Sequence, residues 1–112
     1  MKKIIVADMD KLVKRFIPMS ETMFYILSSL TEERHGYGIM LHVQELTHGR
    51  VVLGAGTIYQ TLSKLEQDDL IIPTNEIDRK KNYIISDIGR KLLTCEAERI
   101  CELSLVAKEL LK

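Results

Sequence analysis

Read along its apolar positions, the chain switches between a helical period and short extended runs. Ile5, Met9, Leu12, Val13 and Phe16 keep the spacing of one helix face, with Lys11, Lys14 and Arg15 on the other side. Pro18 closes this stretch, because its ring disfavours helical geometry at Ile17 and offers no amide donor. Ser20 has the chemistry of an N-cap and Glu21 suits the positive end of a helix, so Met23, Ile26, Leu27 and Leu30 predict a buried stripe over 21–31. The polar stretch 31–35 reads as a turn. A short third helix opens at Gly36-Tyr37-Gly38, carries Ile39, Met40, Val43 and Leu46, and is expected to stop at Gly49. Val51, Val52 and Leu53 are too few for a free strand, though they can form a single bridge on the edge of a small sheet.

The stretch 54–70 is a helix with two different faces. Ile58, Leu62 and Leu65 line one side and need a core. Thr57, Gln60, Thr61, Ser63 and Lys64 face out, hydrogen-bonding groups and one cation, while the acids Glu66, Asp68 and Asp69 gather at the far end. Acids ordinarily favour a helix N-terminus, so this order is reversed, as on a surface meant to approach phosphates. Gly54-Ala55-Gly56 before it allows close backbone approach and leaves free amides at the helix start.

After Leu70 the period shortens. The runs 70–76 and 82–85 are rich in β-formers and are separated by 77–81, which predicts a hairpin with a basic tip at Arg79, Lys80 and Lys81. Pro73 confines the first run to an edge or a short pairing. Two short helices, a turn, a third helix with a polar leading face and then such a hairpin make a winged helix-turn-helix. The last helix, 87–112, sets Leu92, Leu93, Ala97, Ile100, Leu103, Ala107, Leu110 and Leu111 within an arc of about 140°, broken mainly by Glu96. One protruding helix cannot bury that stripe alone. A two-fold dimer formed by 87–112 and 4–16 is the expected solution.

The chain thus divides into an amphipathic N-terminal helix at 1–17, a winged helix-turn-helix at 18–86 and a dimerisation helix at 87–112. Its class is mainly α with a small β-hairpin. Length and charge alter this picture little. The 112 residues suit one domain, and sixteen basic and sixteen acidic residues cancel, so DNA binding must rest on local charge. Residues 1–19 are the most basic segment, with five cations and two acids. They read either as an arm on the DNA backbone or as a helix packed on a partner with a solvated basic face. No apolar run is long enough to span a membrane, and early acids disfavour a signal peptide, so a cytoplasmic protein without membrane contact is expected. Cys95 and Cys101 lie six apart in a helix, roughly 9 Å, beyond disulfide reach. They read as small apolar residues in a reducing compartment, with a contact between subunits as the alternative. His42 and His48 fall about 240° apart around their helix, which discourages a metal set with His35, and no cofactor is expected.

Several blocks carry a family likeness: Phe24-Tyr25-Ile26-Leu27, His35-Gly36-Tyr37-Gly38-Ile39, Gly56-Thr57-Ile58-Tyr59 with Leu62, Leu65 and Glu66, Leu70-Ile71, and Tyr83 with Ser86-Asp87-Ile88-Gly89-Arg90. In order and spacing over about 20–92 they resemble the PadR family of transcriptional regulators, in its shorter branch with one C-terminal helix. The resemblance implies a homodimeric winged-helix repressor that binds an inverted repeat and is released by a small molecule. Asp69 stands where the family often has Gly, and Ser86 where it usually has Thr. The flat aromatic ligands that some members hold between aromatic side chains do not carry over, since the chain has no Trp and no aromatic residue after Tyr83.

The expected partners are therefore double-stranded DNA, a second copy of the chain and an unidentified small-molecule effector. Thr57, Tyr59, Gln60, Ser63 and Lys64 are expected at the major groove and Arg79, Lys80 and Lys81 at the backbone. The ring of Tyr59 packs under the helix in one reading while its hydroxyl reaches phosphate. Leu93, Ala97, Ile100, Leu103, Ala107 and Leu110 are expected to join the two copies. A winged helix used as a protein-interaction module is the competing reading, favoured by zero net charge and by Glu66, Asp68 and Asp69. An enzyme is disfavoured, because no nucleophile and base, phosphate loop or metal set is suitably spaced.

Overall fold

The computed structural model describes residues 6–112, with side chains from residue 9 onward. Ile5, which the apolar pattern assigns to the first helix, lies outside them, as does residue 4 of the expected interface. The order is α1 (Val6–Phe16), α2 (Glu21–Ser29), β1 (Arg34–His35), α3 (Gly36–Leu46), α4 (Ala55–Gln67), β2 (Ile71–Ile77), β3 (Lys80–Ile85) and α5 (Asp87–Leu110). This is a winged helix-turn-helix with a long C-terminal helix.

Local chemistry explains most boundaries. Ser20 accepts from the Met23 amide at 3.1 Å and caps α2. At the end of α3, His48 takes the left-handed position (φ 51°), with Gly49 after it at φ 81° and its amide on the Gln44 carbonyl. The stop therefore falls one residue earlier than the glycine alone suggests. At the end of α4, Asp69 (φ 61°) fills the same position: its amide bonds the Glu66 carbonyl and that of Leu70 the Leu65 carbonyl, a Schellman closure. The turn closes here without glycine, because Asp tolerates the left-handed region better than most side chains.

The sheet has three antiparallel strands in the order β1-β3-β2. Its third strand is Arg34–His35, paired with Tyr83 and Asn82, and the bridge open to Val51, Val52 and Leu53 does not form. Those residues instead form the irregular approach to α4, where Leu53 is buried in the core. The hairpin turns on Asp78 and Arg79 alone, both at positive φ, the pattern of a two-residue I′ connection. The strands consequently reach Ile77 and Lys80. A bulge between Pro73 and Glu76 bends β2, which is the edge strand that Pro73 requires.

Ile26, Leu27, Leu30, Ile39, Val43, Ile58, Leu62, Leu65, Leu70 and Leu92 fill the centre of the core, and Phe16 brings α1 onto it. Only the first part of α5 joins this core. Ser86 caps it by accepting from the Gly89 amide while donating to the Asp69 carbonyl. Gly89 lies so close to the preceding turn that a Cβ would sit 2.1 Å from the Leu70 carbonyl oxygen. Glu96, which interrupts the apolar stripe of α5, is 1% exposed. Its carboxylate accepts from the Met19 amide at 2.5 Å and from two nitrogens of Arg99, and so ties the segment after α1 to α5.

Candidate nucleic-acid interface

The outward face of α4 is built by its inward one. With Ile58, Leu62 and Leu65 each 1% exposed, the helix cannot rotate without exposing its core contacts, and Thr57, Tyr59, Gln60, Ser63 and Lys64 are left at the surface. Among the described residues, no side-chain hydrogen bond ties Thr57, Gln60 or Ser63. Gly54 and Gly56 open onto space: a Cβ at either would meet nothing within 4 Å. Neither glycine has a positive φ, so neither packing nor backbone conformation within this chain calls for it. Each instead leaves the first turn of α4 uncovered.

Tyr59 is 59% exposed, yet one edge of its ring is seated. A Cβ at Gly36 would lie 3.0 Å from its Cε1 and Cζ and 3.1 Å from its hydroxyl oxygen. Two motifs that are separate in sequence, His-Gly-Tyr-Gly and Gly-Thr-Ile-Tyr, therefore meet in space. His35 caps α3 by accepting from the Gly38 amide at 3.0 Å and stacks on Tyr37, their ring centres 6.4 Å apart. The capping role was hidden because His is not a preferred N-cap residue.

The acids at the end of α4 are held by cations from other elements. Asp68 receives two hydrogen bonds from Arg15, 2.9 and 3.0 Å, and Glu66 pairs with Lys81 at 3.6 Å. They tether α1 and the hairpin to α4. Lys64 points toward the same end of α1, its Nζ 5.9 Å from the centre of the Phe16 ring. A groove of about 810 Å³ runs here between α1, the start of α2 and α4, with Phe16, Met23, Gln60 and Lys64 in its walls.

The three wing cations do not share one place. Arg79 occupies the turn, Lys80 begins β3 opposite Ile77, and Lys81 sits back along the strand, over the Tyr83 ring at 5.5 Å as well as on Glu66. Across the sheet, Asn75 bonds Glu33 at 3.3 Å, so the hairpin is held from both sides. In the α3–α4 connection, Arg50 pairs with Glu21 and the Tyr25 hydroxyl, which holds its guanidinium more firmly charged than usual. Behind α3, the Ser29 hydroxyl meets His42 Nδ1 at 2.9 Å. Burial first, and the Arg34 charge second, lower the His42 pKa.

The other expected set lies along α5. Leu93 is half-buried on this chain's own core and Ala97 is half-buried, whereas Ile100, Leu103, Ala107 and Leu110 are exposed, Leu103 at 53% and Leu110 at 80%. Leu105 and Val106, outside the predicted arc, are also exposed, at 67% and 59%. The second half of α5 thus leaves apolar side chains exposed on more than one side. Cys95 is half-buried and Cys101 exposed, and both are free thiols.

Among the described residues no helix is long and apolar enough to cross a membrane. The profile of the family described as "Transcriptional regulator PadR-like family" matches residues 5–95. Transcriptional regulator YqjI of Escherichia coli strain K12 is 30% identical over 88 residues, covering 78% of this chain and 42% of that protein. An uncharacterised 37.1 kDa protein in transposon TN4556 of Streptomyces fradiae is 34% identical over 70 residues, covering 62% of this chain and 20% of that protein. The chain thus spans less than half the length of these relatives. A transcriptional regulator from Clostridium thermocellum superposes with a TM-score of 0.71 at 22% identity, covering 97% of this chain and 100% of the other. A PadR family regulator from Eggerthella lenta gives 0.68 at 23% identity, covering 96% and 92%. These two likenesses concern the fold.

Proposed function

Since the chain belongs to the PadR-like family of transcriptional regulators, we propose that it acts as a cytoplasmic homodimeric repressor that binds an inverted-repeat operator. Residues 18–86 bind DNA, 87–112 dimerise, and the helix within 1–17 supports both. The observation that carries the reading is the face of α4, where hydrogen-bonding side chains and one cation stand outward beside two glycines that nothing in this chain requires. Thr57, Gln60 and Ser63 read base edges in the major groove, and Lys64 meets a phosphate. Arg79 and Lys80 add backbone contacts from the wing, which carry affinity without sequence information. Lys81, already paired with Glu66, orients the wing and contributes to the field around it.

In the dimer, Leu93, Ala97, Ile100, Leu103, Ala107 and Leu110 of one copy pack on the other, with α1 alongside. Two-fold symmetry then sets the half-sites about one helical turn apart, ~34 Å. A small molecule that alters this packing releases the operator. A stable folded monomer in sedimentation at micromolar concentration contradicts the dimer.

Salt dependence separates this reading from a protein-interaction module. A duplex held by several phosphate contacts loses affinity by orders of magnitude between about 50 and 200 mM salt, whereas an apolar protein partner does not. The acids that favour the module are in part engaged, Glu66 by Lys81 and Asp68 by Arg15, which weakens that reading.

A further inference from the structure

We infer that Gly36 is the positioning residue for Tyr59 and that the Tyr59 hydroxyl, held in this way, donates to a DNA phosphate. The inference rests on the DNA-binding reading above. Gly36 begins α3 and is buried, and its φ is not in the left-handed region, so its backbone does not require glycine. Space requires it. A side chain there would press on Cε1, Cζ and the hydroxyl oxygen of Tyr59 at 3.0 to 3.1 Å, tighter than ordinary van der Waals contact. Gly38, two residues on, would meet its nearest neighbour at a comfortable 3.6 Å, so the pressure belongs to Gly36 alone.

Tyr59 is not a core residue that merely needs room, since more than half of it faces solvent beside Gln60. What Gly36 supplies is a seat for one edge of the ring, which fixes the direction of the hydroxyl. No hydrogen bond among the described residues uses that hydroxyl. A donor fixed beforehand loses little freedom when a phosphate arrives, so the seat raises affinity without adding a contact of its own. With a methyl group at position 36 the ring swings outward, which its exposure permits, while Ile58, Leu62 and Leu65 keep α4 in place.

The test is a double-mutant cycle on binding to a mixed-sequence duplex at low salt, comparing the native chain, Gly36→Ala, Tyr59→Phe and the double variant. Tyr59→Phe is expected to weaken binding about tenfold, in keeping with loss of one hydrogen bond to a charged group. Gly36→Ala is expected to weaken it by a similar factor and the double variant by no more than either single one. The dependence of affinity on salt should stay unchanged, because a neutral hydroxyl displaces no counterion. Tyr59→Phe keeps the ring and its packing, so it reads the hydroxyl alone even where Gly36→Ala loosens the fold. Native affinity in either single variant, or losses that multiply in the double variant, overturns the inference. Failure of the native chain to bind any duplex removes the DNA-binding reading and this inference together.

Discussion

Arg15, in the last turn of α1, grips Asp68 at the C-cap of α4 through two parallel hydrogen bonds, across 53 positions of chain. The same guanidinium lies 4.7 Å from the centre of the Phe16 ring. Because α1 also packs on α5, this pair connects the long C-terminal helix to the helix that faces outward. Arg15 is half-exposed and Asp68 largely covered, which places the pair above a freely solvated one but below a buried one. A cycle of Arg15→Ala and Asp68→Ala followed by urea unfolding should give a coupling of about 0.5–1 kcal/mol. Additive losses would show that the contact does not join the two helices in solution.

Gly89 is expected to be the least replaceable glycine. A methyl group there collides with the Leu70 carbonyl, which is backbone already committed to the Ser86 amide. Gly89→Ala should lower stability by about 2 kcal/mol or more, read as a lower urea midpoint at unchanged slope.

Gly56 should behave in the opposite way. Gly56→Ala fills open space in the first turn of α4, so stability should hold or rise by up to about 1 kcal/mol. Affinity for duplex DNA should fall, because the methyl group stands where backbone approaches backbone. An undiminished affinity would show that phosphate does not come close here.

Two groups give the pH dependence a direction. Hydrogen bonds from Arg99 chiefly, and from the Met19 amide, hold the Glu96 carboxyl below its usual range against the opposing effect of burial. Its contribution is therefore complete above the unfolded value of about 4.3 and lost as pH falls through the lower native value. His42 is also lowered, so its neutral form supports the fold and stability begins to decline as pH drops below about 6.5. Thermal midpoints should fall in two stages on acidification. Glu96→Gln should flatten the lower stage and leave the upper one intact.

Much of this could be read from residue order because it depends on local chemistry. The caps Ser20 and Ser86, the stop at Pro18, the buried side of α4 and the edge position of Pro73 each follow from neighbours within a few residues. What escaped depends on partners far away. Arg34–His35 becomes a strand only because β3 lies beside it, and two residues have no period to detect. Asp78 and Arg79 form a turn normally signalled by glycine. Glu96 interrupts an apolar stripe in sequence, while in the fold it holds the Met19 amide. The reversed charge order of α4 has a similar resolution, since Glu66 and Asp68 are anchors for Lys81 and Arg15 as much as a consequence of the outward face.

Individual side chains should separate grip from choice. Lys64→Ala is expected to weaken binding equally on all sequences and to reduce the salt slope by about one unit, as for loss of one phosphate contact. Gln60→Ala should relax preference at one base pair, by about 1–3 kcal/mol, with little effect on random duplex. Fluorescence anisotropy on matched specific and random duplexes checks both, and identical losses for the two variants on both duplexes would reject these roles.

The most direct measurement is selection of bound fragments from random-sequence DNA by the purified chain. A dimer reading DNA through α4 should recover an inverted repeat whose half-sites are centred about one helical turn apart. Recovery of no common sequence, or of single unpaired half-sites, would contradict it.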